Sequence, residues 1–434
     1  MWWETGIFYH IYPLGFCGAP RENDGVTVPR IKKIEDWFEH LKTLGTNAVY
    51  LGPVCDSDAH GYDTRNFYTL DPRLGTNEDM KEVCRALHQN GFRIILDGVF
   101  HHVGRGFHAF QDVIKNRWDS PYKDWFFINF DGDSPYGDGF WYEGWEGHYD
   151  LVKLNLRHPD VKAHILDAVR QWMDDWEIDG LRLDVAYSLD WDFLKELRWV
   201  CTQKKPDFFL LGELLHGDYN RWVNDEMLHS CTNYECYKGL YSAFNSMNLF
   251  EIVHSLLRQF GSDPWCLYRG KHLYSFADNH DVSRIASILN NPCQLRPLYG
   301  LLFGMPGIPA LYYGSEWGAP GKKEEGDHAL RPSFPAPQQN KLTDFLARLI
   351  HVRKAHPAFS YGDFRSVVLT NRQCVFQRET DNERIFVAIN AEEAPYVARF
   401  DGGCDHFTEL ITEREIPFHG EISLPGYSVQ YFRA

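Results

Sequence analysis

Asp179-Gly-Leu-Arg-Leu-Asp184 is a short apolar run broken by one arginine and closed by a carboxylate. It is too short for a helix and reads as a buried strand with an acid at its carboxyl end. Two later segments have the same form: Phe208-Phe-Leu-Leu-Gly212 followed by Glu213, and Leu273-Tyr-Ser-Phe276 followed by Ala-Asp-Asn-His-Asp281. Working outward, Arg93-Ile-Ile-Leu-Asp97, Ala48-Val-Tyr-Leu-Gly52 and Ile7-Phe-Tyr-His-Ile-Tyr-Pro13 repeat it upstream. A weaker run from Cys231 to Tyr237 and Ile308-Pro-Ala-Leu-Tyr-Tyr313 complete eight strand candidates. Segments of helical period separate them, such as Ile31 to Leu44, closed by Gly45, and about 77 to 90, closed by Gly91. Alternating strands and helices imply a parallel sheet with right-handed crossovers, and eight such units predict an α/β fold of the (β/α)8 TIM-barrel type. Active sites in that architecture lie at the carboxyl ends of the strands, where Asp97, Asp184, Glu213 and Asp281 all fall.

Two segments break the rhythm. Residues 103–156, rich in Trp, Tyr, Phe, Gly and Asp, are too long for an ordinary loop and predict an inserted subdomain after the third strand, overhanging the barrel mouth. Its aromatics, including Trp118, Trp125, Trp141 and Trp145, read first as that subdomain's own core and second as platforms for a ligand ring. Beyond the helical stretch Leu346-Ala-Arg-Leu-Ile-His-Val-Arg353, alternating runs such as Cys374-Val-Phe-Gln-Arg378 and Arg384-Ile-Phe-Val-Ala-Ile389 predict antiparallel strands. The expected division is a barrel from 1–102 and 157–356, the insertion 103–156, and a C-terminal antiparallel β-sandwich from 357–434.

Composition narrows the partners. A net charge of −16 with no basic run lacks the electrostatic footprint of a nucleic-acid binder and leaves neutral small molecules open. No apolar stretch is long enough to span a bilayer, and the start of the chain lacks the regions of a signal peptide, so a cytoplasmic location without membrane contact is expected. Ten scattered cysteines, with no CxxC pair, predict reduced, mostly buried thiols. Composition is silent on oligomeric state.

The strand-end acids carry the chemistry. Arg182 and Asp184, two apart along a strand, share a face, so the guanidinium can hold the carboxylate ionised and aimed for attack. Glu213 follows an apolar run, where burial and neighbouring acids favour a protonated carboxyl suited to donating a proton. Asp281 brings a third carboxyl near the same point, able to favour positive charge on a reacting ring. His280 and His102 can add hydrogen bonds. A nucleophilic carboxylate beside an acidic one is the requirement for cleaving a glycosidic bond with retention. The alternative for any one motif is a solvated loop acid or a structural Arg-Asp salt bridge; three in order on one predicted barrel argue against it.

Four segments, Asp97-Gly-Val-Phe-His-His102, Gly180-Leu-Arg-Leu-Asp184, Gly212-Glu213 and Phe276-Ala-Asp-Asn-His-Asp281, resemble the signatures of the alpha-amylase family of glycoside hydrolases, from about residue 5 to the C-terminus. The resemblance implies Asp184 as nucleophile, Glu213 as acid/base and Asp281 as transition-state stabiliser. It implies that Asp97, Arg182, His102 and His280 line the subsite of the reacting glucose. Gly61-Tyr62-Asp63 resembles the segment whose tyrosine stacks beneath that glucose, and Asp327 with Arg331 resembles a pair that binds the next sugar. Lys153-Leu-Asn155 resembles a fifth segment of the oligosaccharide-acting members, the neopullulanases and cyclomaltodextrinases. The implied substrates are small α-glucans, with no organic cofactor.

Two departures stand out. His101 occupies the place where the family carries an asparagine whose oxygen binds a structural calcium, and imidazole supplies no oxygen; no metal is expected there. Val185-Ala-Tyr187-Ser188 lacks a Lys-His pair that contacts the leaving-group side in many starch-degrading members. The expected activity is retaining hydrolysis of α-1,4 links in maltooligosaccharides, with cyclodextrins and α-1,6 links as further substrates. The rivals are a 4-α-glucanotransferase with the same site, and a silent carbohydrate-binding subunit.

Overall fold

In the computed structural model, which describes residues 1–434, eight parallel strands form one sheet. They are β1 (Phe8–Ile11), β2 (Ala48–Leu51), β3 (Arg93–Gly98), β4 (Gly180–Leu183), β5 (Phe209–Gly212), β6 (Ser230–Cys231), β7 (Tyr274–Phe276) and β8 (Ile308–Tyr312). The order is β6-β5-β4-β3-β2-β1-β8-β7, each pair parallel. A bridge between Thr232 and Tyr274 joins β6 to β7, where Asn233 N–H donates to the Tyr274 carbonyl at 2.8 Å, so the sheet closes on itself. No edge remains for water or another chain to pair with.

The strands read as unbroken apolar runs because both faces are buried, one against the helices and one in the lumen. The lumen is filled by Phe8, Ala48, Tyr50, Ile95, Phe209, Leu211, Tyr274, Phe276, Ile308 and Ala310, and Trp3 plugs its amino-terminal end by stacking on Phe209 at 5.1 Å. Period-2 alternation then continues this inward face toward the carboxyl end: Ile95 leads to Asp97, and Leu211 to Glu213. Gly180 begins the same series on β4, where a Cβ would lie 2.4 Å from the Phe209 carbonyl oxygen; Arg182 and Asp184 follow it. Lumen packing and site placement are one property of the sequence.

The sixth strand differs from its expected extent. It covers only Ser230–Cys231, and Tyr234–Asn245 is a helix whose N-cap, Asn233, accepts a hydrogen bond from the Cys236 N–H. An asparagine with free side-chain oxygen favours helix initiation over strand continuation. The stretch expected as a helix from Ile31 to Leu44 opens as a 3₁₀ segment, Arg30–Trp37, before the α-helix Phe38–Leu44. The helix Asn77–Gln89 starts at a Thr76 capping box.

The segment after β3 has regular structure of its own. His102–Gly104 pairs antiparallel with His148–Lys153, which also pairs with Gly144–Trp145, and the helix His108–Asn116 packs beside them. Phe110, Phe126, Phe140, Tyr142 and Trp125 are buried there, whereas Trp118 and Trp141 are exposed. The C-terminal six-stranded antiparallel sheet and the two-stranded sheet of Tyr396–Arg399 with Glu421–Leu424 enclose Val375, Phe386, Phe407, Phe418 and Phe432. The six-stranded sheet docks on the helix Leu295–Gly304. All ten cysteines are free and seven are buried, and no helix is long and apolar enough to cross a membrane.

The docking is close enough to test. A Cβ on Gly300 would lie 2.4 Å from Val429 Cγ2. Gly300→Ala should therefore cost about 1–3 kcal/mol through overpacking. Adding Val429→Ala removes both methyls but leaves a Cβ at 2.7 Å, so it should recover part of the loss in urea denaturation; no recovery would place the strain elsewhere.

Candidate active site

The carboxyl end of the barrel is organised around one side chain. Arg182 on β4 is in register with Asp97 on β3 and Leu211 on β5. Its Nη1 lies 2.8 Å from Asp97 Oδ1 and 2.8 Å from Asp184 Oδ1, and its Nη2 lies 2.8 Å from Glu213 Oε1. The guanidinium is fully charged at any pH the fold survives, and its planar fork can serve several carboxylates at once. Tyr50 and Tyr62 hydroxyls both donate to Asp97 Oδ2, at 2.8 and 3.0 Å. Asp97 is thus saturated by donors from three elements.

Just past β4 the chain turns sharply. Val185 has φ 48°, a left-handed conformation that is rare for a β-branched residue and costs of order 1–3 kcal/mol. The turn aims the Val185 N–H at Glu213 Oε2, 2.9 Å away. Glu213 therefore has one oxygen on Arg182 and the other on a backbone donor, and its rotamer is fixed.

Asp281 belongs to a separate cluster. Its Oδ2 lies 2.9 Å from His280 Nε2 and its Oδ1 accepts from Arg331 Nη2 at 2.9 Å. The Tyr62 hydroxyl meets His280 Nε2, and the two rings are nearly parallel with centroids 5.5 Å apart. Arg331 also packs over Tyr12 at 4.6 Å and reaches Asp327 at 3.4 Å, which is paired in turn with Lys323 at 2.7 Å.

These contacts divide the acids electrostatically. Burial raises both Asp184 and Glu213; Arg182 opposes it, and like-charge neighbours reinforce it. Two buried carboxyls on one guanidinium that also neutralises Asp97 retain a proton between them. For Asp281, burial alone would raise the pKa, but His280 and Arg331 outweigh it and hold it well below the usual carboxylate range. The site offers one shared proton and one firmly ionised acid.

A cavity of about 550 Å³ opens above this floor. Asp184, Glu213, Asp281, Tyr62, His102, Asp327 and Arg331 line it. The structure corrects the expected position of Asp63: it is buried in the turn before the cavity, and its oxygens accept from the Ala59, His60 and Gly61 N–H groups at 2.8–3.1 Å. It shapes the loop that presents Tyr62. Asp97, Arg182 and His280 stand one layer behind the wall, in contact with the carboxylates they orient.

Sequence reading missed part of the wall. His148, Asp150 and Leu151 come from the insertion, as does Trp145, one of the aromatics read second as ring platforms; Tyr187, Leu215 and Lys323 come from barrel loops and Tyr234 from the start of the helix Tyr234–Asn245. Trp145 stacks on His148 at 5.2 Å, and the Tyr187 hydroxyl bonds Glu146 across the cleft at 3.1 Å. Tyr187 carried a signal, since its segment departs from the resemblance by lacking a Lys-His pair. Trp145 had only the bulk of an aromatic side chain.

A second cavity of about 550 Å³ lies between the insertion and the barrel, lined by His101, Phe127, Lys153, Asn155, Asp190 and Trp191 among others. His101 faces His102 through Nδ1 at 3.2 Å, and the Lys153 ammonium pairs with Glu143 at 2.5 Å. An imidazole and an ammonium do not suit an oxygen-seeking calcium ion. No group of three His, Cys, Asp or Glu side chains able to hold a metal ion occurs in the chain.

A closed eight-stranded parallel barrel with a proton-sharing carboxyl pair at its strand ends is the frame of a glycoside hydrolase. The catalytic-domain model of the alpha-amylase family matches residues 10–334, and the chain belongs to that family. It is 31% identical to a cyclomaltodextrinase from a Bacillus species, over 92% of this chain and 75% of the relative. It is 29% identical to an intracellular maltogenic amylase of Bacillus subtilis, over 81% of this chain and 62% of that protein. Among solved structures, the cyclic α-maltosyl-(1→6)-maltose hydrolase of Arthrobacter globiformis superposes with a TM-score of 0.84 at 25% identity, over 100% of this chain and 99% of that one.

Buried neutral histidines give the fold a pH limit. Burial pushes His101 down to about 4 and His102 and His229 down to about 3, from an ordinary 6.5. The unfolded chain therefore binds protons that the folded one refuses. Their stabilising contribution is complete above pH 6.5 and is lost as pH falls toward about 4. Melting temperature should decline through that window; a flat profile would mean that these rings ionise without cost in the folded state.

Proposed function

We propose that the chain is a retaining α-glucan hydrolase in which Asp184 is the nucleophile, Glu213 the acid/base and Asp281 the stabiliser of the transition state. The observation that carries this is the single guanidinium of Arg182 holding both Asp184 and Glu213 at 2.8 Å. Two carboxyls held on one guanidinium support a retaining mechanism, which needs its acid pair close together, ~5–5.5 Å apart. In the first step Glu213 gives its proton to the glycosidic oxygen while Asp184 Oδ attacks the anomeric carbon, forming a glucosyl ester as the leaving sugar departs. In the second, Glu213 removes a proton from water, which displaces Asp184 and restores the α configuration. Asp281, kept ionised by His280 and Arg331, opposes the positive charge that develops on the ring. Tyr62 and His102 on the cavity wall supply a ring platform and a hydrogen bond to that sugar, and Asp327 with Arg331 holds the next unit.

The substrates are maltooligosaccharides cleaved at α-1,4 links, with cyclodextrins and α-1,6-linked fragments as further members. The naming of the relatives as cyclomaltodextrinase, maltogenic amylase and a hydrolase of an α-1,6-containing cyclic maltoside supports that range. The description of one relative as intracellular supports a cytoplasmic role. The His101 and Lys153 side chains support activity and folding without the family calcium.

Incubation with maltotriose, maltoheptaose, β-cyclodextrin and panose, followed by product sizing and anomer-resolved NMR, should give α-anomeric glucose or maltose. Early products longer than the substrate would make the protein a transferase, and β-anomeric products would reject the mechanism. Asp184→Asn and Glu213→Gln should each lower turnover by at least about 10³-fold. Asp184→Asn should leave the melting temperature unchanged or raised, because it relieves like-charge repulsion at the pair. A chelator should change neither activity nor melting temperature; a drop in either would restore a structural cation.

A further inference from the structure

We propose that His101 is a positioning residue: it holds His102 in the tautomer whose hydrogen sits on Nε2, facing the catalytic pair. The inference rests on reading the Asp184–Glu213 cavity as a glycosidase centre. His101 and His102 are adjacent in sequence, both buried, and their Nδ1 atoms are 3.2 Å apart. At that distance one hydrogen lies between the two nitrogens, since two lone pairs or two N–H groups facing each other would repel. The remaining question is which ring donates.

The far side of His102 answers it. Nε2 is buried, has no protein partner, and lies 3.9 Å from Asp184 Oδ2. Beside a carboxylate an N–H is attracted and a bare lone pair is repelled, so the hydrogen of His102 belongs on Nε2. Nδ1 of His102 is then the acceptor, and His101 Nδ1–H the donor. His101 has one hydrogen to give because it stays neutral: burial first, and the charge of Lys153 second, oppose its protonation, with Glu143 acting weakly the other way. His102 is kept neutral by burial, His101 and His60, against the opposing pull of the Tyr62 backbone carbonyl.

The consequence is chemical. His102 lines the sugar cavity and presents a neutral N–H donor there. An imidazolium in its place would pair with Asp184 and weaken its attack; the opposite tautomer would turn a lone pair toward the carboxylate and the sugar hydroxyls. The pattern by which a second group fixes a histidine's reactive nitrogen is general, and here the second group is another histidine. An asparagine at position 101 would carry an amide N–H able to make the same donation.

Histidine-selective ¹⁵N labelling of the wild-type enzyme with long-range ¹H–¹⁵N NMR at neutral pH reads both tautomers. The expected result is hydrogen on Nε2 of His102 and on Nδ1 of His101. In steady-state kinetics on maltotriose, His101→Leu should lose about ten-fold in kcat/KM, the value of one buried hydrogen bond, while His101→Asn should stay within about three-fold of wild type. The His102 signal should show mixed tautomers in the leucine variant and the wild-type tautomer in the asparagine variant. Melting curves check folding, and if the leucine variant does not fold, the wild-type spectrum and the asparagine variant still decide. Hydrogen on Nδ1 of wild-type His102 would overturn the inference, as would equal losses in both variants with an unchanged tautomer. Failure of the wild type to cleave any α-glucan would instead sink the proposed function.

Discussion

One buried guanidinium sets the terms for the whole carboxyl end of the barrel. Arg182 is nearly inaccessible and contacts Asp97, Asp184 and Glu213, which come from three neighbouring strands. Burying that charge is tolerable only because its partners are already in place, and removing the guanidinium, which would leave three buried acids uncompensated, costs about 3–5 kcal/mol. The partners are in place because β3, β4 and β5 are adjacent and parallel, with Arg182 opposite Asp97 in register. A slip of one residue in either pairing would turn the acid to the outer face. Closure of the sheet through Thr232 and Tyr274 leaves the strands no room to slip.

The same economy explains why the three reactive acids differ although all stand within one cavity. Two share a single cation, which is also spent on Asp97, and so keep a proton. The third has His280 on one oxygen and Arg331 on the other and is held ionised. Neither group of contacts is remote from the other: the Tyr62 hydroxyl touches both Asp97 and His280, so the shared-proton pair and the ionised acid are joined through one side chain. The positions are rigid because every carboxylate oxygen except Asp184 Oδ2 has a named donor, and the strained Val185 turn is held by the bond it makes to Glu213.

This division also accounts for what could be read from the chain. The strands, their order and the acids at their ends follow from short apolar runs, period-2 alternation and termination by Asp or Glu, all local signals. The sixth strand was misjudged because two residues carry no period, and Asn233 turned the following apolar run into a helix. Asp63 looked like a ligand contact because its neighbour Tyr62 is one, yet alternation in a tight turn sends the two side chains opposite ways. Trp145, His148 and Tyr187 reach the cavity through tertiary placement of an insertion and a loop, and no spacing in the sequence encodes that approach.

The insertion is held in place by backbone hydrogen bonds close to the end of β3. Its first strand, His102–Gly104, begins four residues after β3 ends at Gly98, and His102 is in register with Lys153 on the return strand. The return strand bears Asp150 and Leu151 on the cavity wall and is itself paired with the strand of Trp145. Leu154 N–H donates to the His101 carbonyl at 3.0 Å, closing the hinge on the barrel side. The wall is therefore indexed by backbone hydrogen bonds to the strand that carries Asp97, through a segment only a few residues long. These backbone bonds fix the distance of the insertion from the acids, with the imidazole of His101 seated at the junction beside His102.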